Sequence, residues 1–270
     1  MIMLPQEKMI ADVRLLAQNT PEIEAVLMYG SFTQGCGDRY SDVEFYVFID
    51  DCAFAAFDKL AWTGGVRPYL LHVVNEYGTD EFIFDNLVRG EFHFLPAQQL
   101  SIIPSFAQVG YIPDVDAMNL YDRSGRLNEQ LASLRGVTVH WDSAENLASL
   151  TGNFCNMALY GVNVYKRGEI ARSLECLFLA QRYFLQMARL LEGSSHHYLN
   201  PCKNLEHELS PARYRLYQRT TTELEAASVH RAWRALLSAG RELITDLARW
   251  HDYPAPLALI DRIEEHLLHF

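Results

Sequence analysis

The chain has 270 residues, of which 49% are hydrophobic and 21% are charged, proportions that are typical of a globular protein. Acidic residues outnumber lysine and arginine by 34 to 23, which gives a formal net charge of −11. Proteins that bind nucleic acid need basic surface to neutralise phosphates, so this charge argues against a nucleic-acid partner. No apolar run reaches the roughly 18 residues that span a bilayer, so we expect no membrane segment.

The cysteines indicate the compartment. Five of them are scattered along the chain, and none forms a Cys-x-x-Cys pair. An odd number of unpatterned cysteines is typical of reduced thiols. Residues 1–7 lack a basic segment leading into an apolar one, so we expect no export signal. We therefore predict a cytoplasmic protein.

The first half of the chain alternates short helical and strand patterns. Apolar residues recur at helical spacing over residues 5–18, and Pro21 ends the pattern. Runs rich in β-branched and aromatic residues predict strands over residues 23–28, 43–49, 69–75, 80–85 and 91–95, and a helix is predicted over 52–60. A further strand ends near Tyr121, before a turn that contains Gly125. This half is predicted to hold a mixed sheet.

The pattern changes near residue 142, where helical periodicity replaces alternation. Asp142 or Ser143 can cap a helix that runs towards Tyr165. Further helices are predicted between Gly168 and Gly193 and over residues 211–225, 229–249 and 257–268, with a polar loop at 194–202. We therefore predict an α+β protein with a sheet-containing domain at residues 1–141 and an α-helical bundle at residues 142–270.

The most informative motif is a Gly30-Ser31 turn followed eleven residues later by Asp42 and Glu44. Side chains alternate along a strand, so both carboxylates project to one face. Such a pair repels unless a cation neutralises it, and Mg²⁺ prefers oxygen ligands. The backbone N–H groups and hydroxyl of the turn suit phosphate oxygens. Acidic pairs are also common on exposed edge strands, but the apolar continuation at residues 47–49 indicates a central strand. The motif predicts metal-assisted nucleotidyl transfer.

This pattern resembles the signature of the polymerase-β-type nucleotidyltransferases. The wider stretch at residues 27–46 and the stretch at 84–94 resemble the lincosamide nucleotidyltransferases in particular. The resemblance implies a resistance enzyme that transfers a nucleoside monophosphate, most simply AMP from ATP, to a hydroxyl of a lincosamide antibiotic. It also implies Mg²⁺ as cofactor. Because related antibiotic transferases dimerise, it implies a homodimer.

We assign the predicted site residues as follows. Asp42 and Glu44 are the metal ligands, and Glu91 is the general base that accepts the proton of the acceptor hydroxyl. Glu91 begins a strand on which it shares a face with His93, and the resemblance points to the same residue. The nucleotide is predicted to contact Gly30, Ser31 and, because related enzymes use a lysine of the helical domain, Lys166.

Other residues compete for these roles. The rival acids are Glu76, Asp80, Glu81 and Asp85, of which the first three lie in or beside a turn where acids are usually solvated. His93 either orients the base, touches substrate or has a structural role. Arg89 either meets phosphate or, as is commoner before a turn, lies on the surface. Asp122 and Arg123 are expected to be structural.

Two other functions remain open. An aminoglycoside nucleotidyltransferase has a polycationic substrate, which would suit an acidic chain. A nucleotidyltransferase-like antitoxin or other binding protein is the alternative from a different class. Such proteins are generally shorter and lack a large fused helical domain, and the presence of three candidate acids favours retained chemistry.

Overall fold

A six-stranded mixed sheet is the framework of the first half of the chain. The computed structural model describes residues 3–108 and 110–269, and the chain divides into two compact units, Met1–Val139 and His140–Phe270. The strands of the first unit are β1 (Ile23–Tyr29), β2 (Val43–Ile49), β3 (Tyr69–Val74), β4 (Asp80–Phe84), β5 (Arg89–Pro96) and β6 (Asn119–Asp122). Their order is β3-β4-β5-β2-β1-β6. Strands β2 and β5 pair in parallel and all other neighbours are antiparallel, which confirms the predicted mixed sheet.

Helices cover both faces of this sheet. The α-helices are α1 (Pro5–Gln18), α2 (Lys59–Val66) and α3 (Arg126–Ala132), and 3₁₀ segments occupy Phe54–Ala56, Ala97–Gln108 and Asp116–Met118. On one face, α1 and α2 pack against an aromatic layer that includes Phe45 and Phe92. On the other, the segment Ala97–Gln108 and α3 pack against a smaller apolar layer that includes Leu27 and Phe48. Each face therefore has its own core.

The helix predicted over residues 52–60 is wrong. The side chain of Asp58 accepts a hydrogen bond from the backbone N–H of Ala61, so α2 begins after this cap and continues to Val66. The residues before it form turns and the short 3₁₀ segment. The sequence pattern there contains enough apolar residues for a helix but does not reveal where the cap lies.

The second unit is all α-helical over the residues that the structure describes. Its helices are α4 (Ala144–Lys166), α5 (Ile170–Leu191), α6 (Leu205–Glu208), α7 (Pro211–Thr220), α8 (Ala226–Trp250) and α9 (Leu257–Leu268). Of the two caps proposed for α4, Ser143 is the one that accepts the N–H of Asn146. Helix α7 ends five residues before the predicted position, because the side chain of Glu225 accepts from two N–H groups and begins α8. The predicted α+β class is confirmed.

Close packing joins the long helices of this unit. A Cβ added at Gly161 on α4 would lie 2.3 Å from the ring of Trp233 on α8, so only glycine allows this approach. The indole N–H of Trp233 donates to Ser173 on α5, whose hydroxyl donates to the carbonyl of Gly161. These contacts connect α4, α5 and α8 at one buried position. Among residues 3–108 and 110–269, no helix is both long and apolar enough to cross a bilayer.

One buried carboxylate fixes the end of the sheet. Glu24 on β1 accepts from Arg123 at 2.6 Å and from the hydroxyl of Ser124, while Asp122 accepts from the backbone of Gly125. These contacts confirm the structural role expected of Asp122 and Arg123. Burial alone would raise the pKa of Glu24, but the hydrogen bonds from Ser124 and Arg123 outweigh it and lower the pKa below its ordinary 4.5.

We predict that Glu24→Gln lowers the free energy of unfolding by about 1 to 3 kcal/mol at pH 7, because it removes the charge from a hydrogen-bonded pair. The contribution of Glu24 is complete above pH 4.5 and is lost as the pH falls through its lower folded-state pKa. The difference between wild type and variant should therefore shrink in acid. Urea unfolding at pH 7 and at pH 3 measures it, with Glu22→Gln at an exposed position as control. An equal loss in both variants would refute the assignment.

Candidate active site

Three neighbouring strands bring the predicted acids together. In the sheet register, Tyr29 at the end of β1 lies opposite Glu44 on β2, and Glu44 lies opposite Glu91 on β5. Registered neighbours in a sheet project to the same face, and adjacent strands are about 4.8 Å apart. Asp42 lies just before β2 and is joined to Glu91 through a shared arginine. The structure thus places all three predicted acids in one region.

Arg89 lies among these carboxylates. Its guanidinium contacts Asp42 at 2.8 Å, Glu91 at 2.5 Å and Glu81 at 2.8 Å. Burial opposes the charge of Arg89, but the hydrogen bond and charge of Glu91, together with Glu81 and Asp42, outweigh it and raise its pKa. Arg89 is thus a partly exposed arginine that pairs with carboxylates, and its contact with phosphate stays a prediction. Sequence reasoning missed this role because two of the three partners, Asp42 and Glu81, come from outside β5.

An aromatic wall, formed by Tyr29, Tyr46 and His93, adjoins Glu91, the candidate base. The hydroxyl of Tyr29 donates to Glu91 Oε2 at 3.3 Å and lies 3.0 Å from His93 Nε2. The ring of Tyr46 stacks on His93 with centroids 4.2 Å apart. Burial lowers the pKa of His93, with Glu91 opposing, and burial raises the pKa of Tyr29, with Glu91 and Glu44 adding to the shift. The wall is therefore uncharged at neutral pH. His93 is linked to Glu91 through the hydroxyl of Tyr29, which contacts both side chains.

The turn after β1 is shaped around Glu44. Gly30 has a φ of +81°, and its carbonyl accepts from Thr33 and from the N–H of Gln34. A Cβ added at Gly30 would lie 1.4 Å from Glu44 Oε2, so the carboxylate occupies the space that any other residue would fill. The hydroxyl of Ser31 is buried and has no hydrogen-bond partner among the described residues. Buried hydroxyl groups without a partner are uncommon in folded proteins, and a ligand oxygen is one kind of partner that would satisfy this one.

Two rival acids differ from expectation. Asp80 was expected to be solvated in a turn, but it begins β4, is only 3% exposed, and pairs with Lys59 and His72 at 2.7 Å each. Glu81 is likewise not a simple turn residue, because it contacts Arg89. The spacing of acids in the sequence gives no sign of these partners, which lie on α2, β3 and β5. Asp80 is therefore paired with Lys59 and His72, and it does not belong to the row that Glu44 and Glu91 form across β2 and β5.

The oxygen ligands fit a hard cation in part. Mg²⁺ is commonly held by one or two carboxylates together with substrate phosphates, so Asp42 and Glu44 suffice as protein ligands. Within residues 3–108 and 110–269, no group of three or more His, Cys, Asp or Glu side chains is arranged to hold a metal. The guanidinium of Arg89 lies where such a group would converge. The residues therefore fit a cation that arrives with phosphate oxygens, and its identity as Mg²⁺ stays a prediction.

Lys166, the predicted helical-domain contact to the nucleotide, lies at the end of α4. Its ammonium donates to the carbonyls of His266 at 2.8 Å and His269 at 2.6 Å, near the end of α9. A cation at these carbonyls is favoured by the partial negative charge of helix C-termini. The structure thus gives Lys166 a structural role, and its contact with nucleotide stays a prediction.

A mixed sheet with paired carboxylates, followed by a helical unit, is the arrangement expected of a nucleotidyltransferase. The family model described as "Lincosamide nucleotidyltransferase-like, C-terminal domain" matches residues 143–266, just under half of the chain. Residues 143–266 are therefore similar to the C-terminal domain of the lincosamide nucleotidyltransferase-like proteins. This confirms the resemblance inferred from the sequence.

Two solved structures are similar to the chain at low identity. An aminoglycoside 6-adenyltransferase from Bacillus subtilis is 14% identical, with 99% of this chain and 100% of that chain covered and a TM-score of 0.46. A nucleotidyltransferase-like protein from Exiguobacterium sibiricum is 16% identical, with 96% and 88% covered and a TM-score of 0.41. With TM-scores below 0.5, neither likeness defines the fold. No curated protein matches the chain.

We predict that Gly30→Ala lowers nucleotidyl-transfer turnover by about 10²-fold, the cost that a displacement of about 1 Å can have in an active site. The new methyl group must push the carboxylate of Glu44 aside. Gly35→Ala is the matched control, because Gly35 also has a positive φ, +70°, but a Cβ there meets nothing within 4 Å. Initial-rate kinetics and thermal melting of both variants measure the effect. Equal losses of turnover would show that backbone strain, rather than Glu44, is responsible.

Proposed function

We propose that the protein transfers a nucleoside monophosphate, most simply AMP from ATP, to a hydroxyl of a lincosamide antibiotic. The observation that carries this proposal is the row formed by Glu44 and Glu91 on adjacent strands, with Asp42 beside it and the Gly30 turn packed on Glu44. The similarity of residues 143–266 to the lincosamide nucleotidyltransferase-like C-terminal domain supports the substrate class.

The roles of four residues follow from their positions. Asp42 and Glu44 would hold Mg²⁺, which when bound supplies positive charge that neutralises the phosphates of the nucleotide. The unpaired hydroxyl of Ser31 would donate to a phosphate oxygen. Gly30 permits this arrangement because its missing side chain leaves room for the carboxylate of Glu44.

Glu91 would act as the general base. Both of its oxygens are held, Oε1 by Arg89 at 2.5 Å and Oε2 by the hydroxyl of Tyr29 at 3.3 Å. A carboxylate oriented in this way accepts the proton of the acceptor hydroxyl as the oxygen attacks the α-phosphorus. Tyr29 has one proton and two partners, Glu91 and His93, so it orients the base and the imidazole together.

The aminoglycoside alternative is favoured by one observation, the net charge of −11. An acidic protein attracts a polycationic acceptor over distances of about a Debye length, roughly 8 Å at physiological ionic strength. This attraction acts on encounter and does not require any particular contact. The similarity of residues 143–266 favours the lincosamide, and we therefore rank the aminoglycoside second.

One experiment tests the proposed function. Purified full-length protein is incubated with Mg²⁺ and each of four radiolabelled nucleoside triphosphates, with a lincosamide or an aminoglycoside offered separately. We expect a labelled lincosamide adduct and pyrophosphate, with ATP as the best donor. Asp42→Asn serves as the blank and should give no adduct. Labelling of the aminoglycoside alone would overturn the lincosamide assignment and leave nucleotidyl transfer intact, and no labelling of either would favour a binding protein.

We predict that Glu91→Gln lowers turnover by about 10²- to 10⁴-fold, the usual contribution of a general base, while nucleotide binding survives. Glu81→Gln is the matched control, since Glu81 contacts the same arginine and lies opposite Glu91 on β4, on the side away from Glu44. It should retain most of the turnover. Steady-state kinetics and equilibrium binding of a non-hydrolysable nucleotide distinguish the two effects. Full activity in Glu91→Gln would remove it as the base.

A further inference from the structure

Arg89 joins three carboxylates that come from three parts of the sheet. We call these four residues the Arg89 cluster: Arg89 on β5, Asp42 before β2, Glu81 on β4 and Glu91 on β5. One nitrogen, Nη1, contacts both Asp42 and Glu91, while Nη2 contacts Glu81. The guanidinium therefore bridges the candidate metal ligand to the candidate base.

The charges of this cluster do not balance. Three carboxylates meet one guanidinium, and Glu44 adds a fourth carboxylate nearby in the register. Like charges a few ångströms apart repel, and a cation between them offsets the repulsion. Arg89 performs this role in the protein without ligands. It holds Asp42 and Glu91 together at distances that they would not otherwise keep.

A divalent cation bound to Asp42 needs the carboxylate oxygen that Arg89 contacts. Asp42 Oδ2 is 2.8 Å from Arg89 Nη1, so a metal ion bound at that oxygen would be within a few ångströms of a positive guanidinium. Two cations that close repel each other through the same Coulomb interaction. Binding of the ion and the Asp42–Arg89 pair therefore oppose each other.

We propose that Arg89 is a positioning residue and a resident counter-cation, which a divalent ion must displace from Asp42 before the site is complete. This proposal rests on the assignment of Asp42 as a metal ligand under the proposed function. Arg89 keeps Glu91 in place through the same nitrogen, so the ion that displaces it from Asp42 also changes how the base is held. The metal-free protein accordingly binds a bare divalent ion weakly.

Mn²⁺ binding to the full-length protein without nucleotide tests the proposal. Free Mn²⁺ is measured by electron paramagnetic resonance with wild type, Arg89→Gln, Asp42→Asn and the control Arg67→Gln, which removes an arginine paired with Asp85 instead. We expect Arg89→Gln to bind Mn²⁺ at least about tenfold more tightly than wild type, because a positive charge next to the ion is removed. Arg67→Gln should bind like wild type. Equal or weaker binding by Arg89→Gln would overturn the proposal.

The binding data distinguish a failure of the metal-ligand role of Asp42 from a failure of the counter-cation role of Arg89. Loss of Mn²⁺ binding in Asp42→Asn, together with unchanged binding in Arg89→Gln, would keep the metal assignment and reject the counter-cation. Wild-type binding in Asp42→Asn would reject the metal assignment and, with it, the inference about Arg89.

A second measurement covers the case in which Arg89→Gln does not fold. The guanidinium signals of Arg89 are assigned in ¹⁵N-arginine-labelled wild type by comparison with Arg89→Lys, and Mg²⁺ is then titrated. We expect the Arg89 signals to move as Mg²⁺ binds, while those of Arg67 stay in place. Unmoved Arg89 signals at saturating Mg²⁺ would overturn the proposal.

Discussion

The parallel pairing of β2 with β5 is the constraint on which the candidate site depends. It sets Glu44 opposite Glu91, and their chain separation is spanned by α2, β3 and β4. A slip of one residue would turn Glu91 to the opposite face, since side chains alternate along a strand. The register is held by the other face, where Phe45 and Phe92 pack with centroids 5.2 Å apart and both are fully buried. Aromatic packing on one face thus fixes the carboxylates on the other.

This arrangement has an electrostatic cost that the sheet itself does not relieve. Carboxylates brought together by backbone register repel each other, and hydrophobic packing on the far face offers them no counter-charge. The Arg89 cluster offsets the repulsion with a side chain from β5 itself. Asp80 shows a different solution on the neighbouring strand β4, where this buried acid pairs with Lys59 and His72 and has a structural role. The Arg89 cluster keeps an excess of acids, which the proposed divalent cation would neutralise.

Much of this architecture was predictable from local patterns. Richness in β-branched and aromatic residues predicted β2 and β5, and helical periodicity with a cap at Asp142 or Ser143 and the flanking glycines predicted α4 and α5. The acids of the site were predictable because strand alternation places Asp42 and Glu44 on one face. That Asp42, Glu44 and Glu91 are the catalytic acids, and that the protein is a homodimer, stay predictions.

Most of the unpredicted features share one physical cause. Glu81 and Asp80 acquire their roles from partners on other elements, as Arg89 does from Asp42 and Glu81, and no spacing along the chain encodes those pairs. Tyr29 was overlooked as a site residue because its hydroxyl reaches Glu91 across β2, a relation that depends on the order of the strands. The displaced start of α2 has a local origin, since the side chain of Asp58 acts as the N-cap by accepting the N–H of Ala61.

The distribution of charge around Glu91 limits how a nucleotide can enter. The wall of Tyr29, Tyr46 and His93 is neutral at ordinary pH, because burial raises the pKa of both tyrosines and lowers that of the histidine. Asp42, Glu81 and Glu91 share a single guanidinium, so this part of the site is anionic. A triphosphate that carries several negative charges would be repelled unless a cation came with it. The nucleotide and the divalent ion are therefore expected to bind together, and the release of Arg89 from Asp42 belongs to that same step.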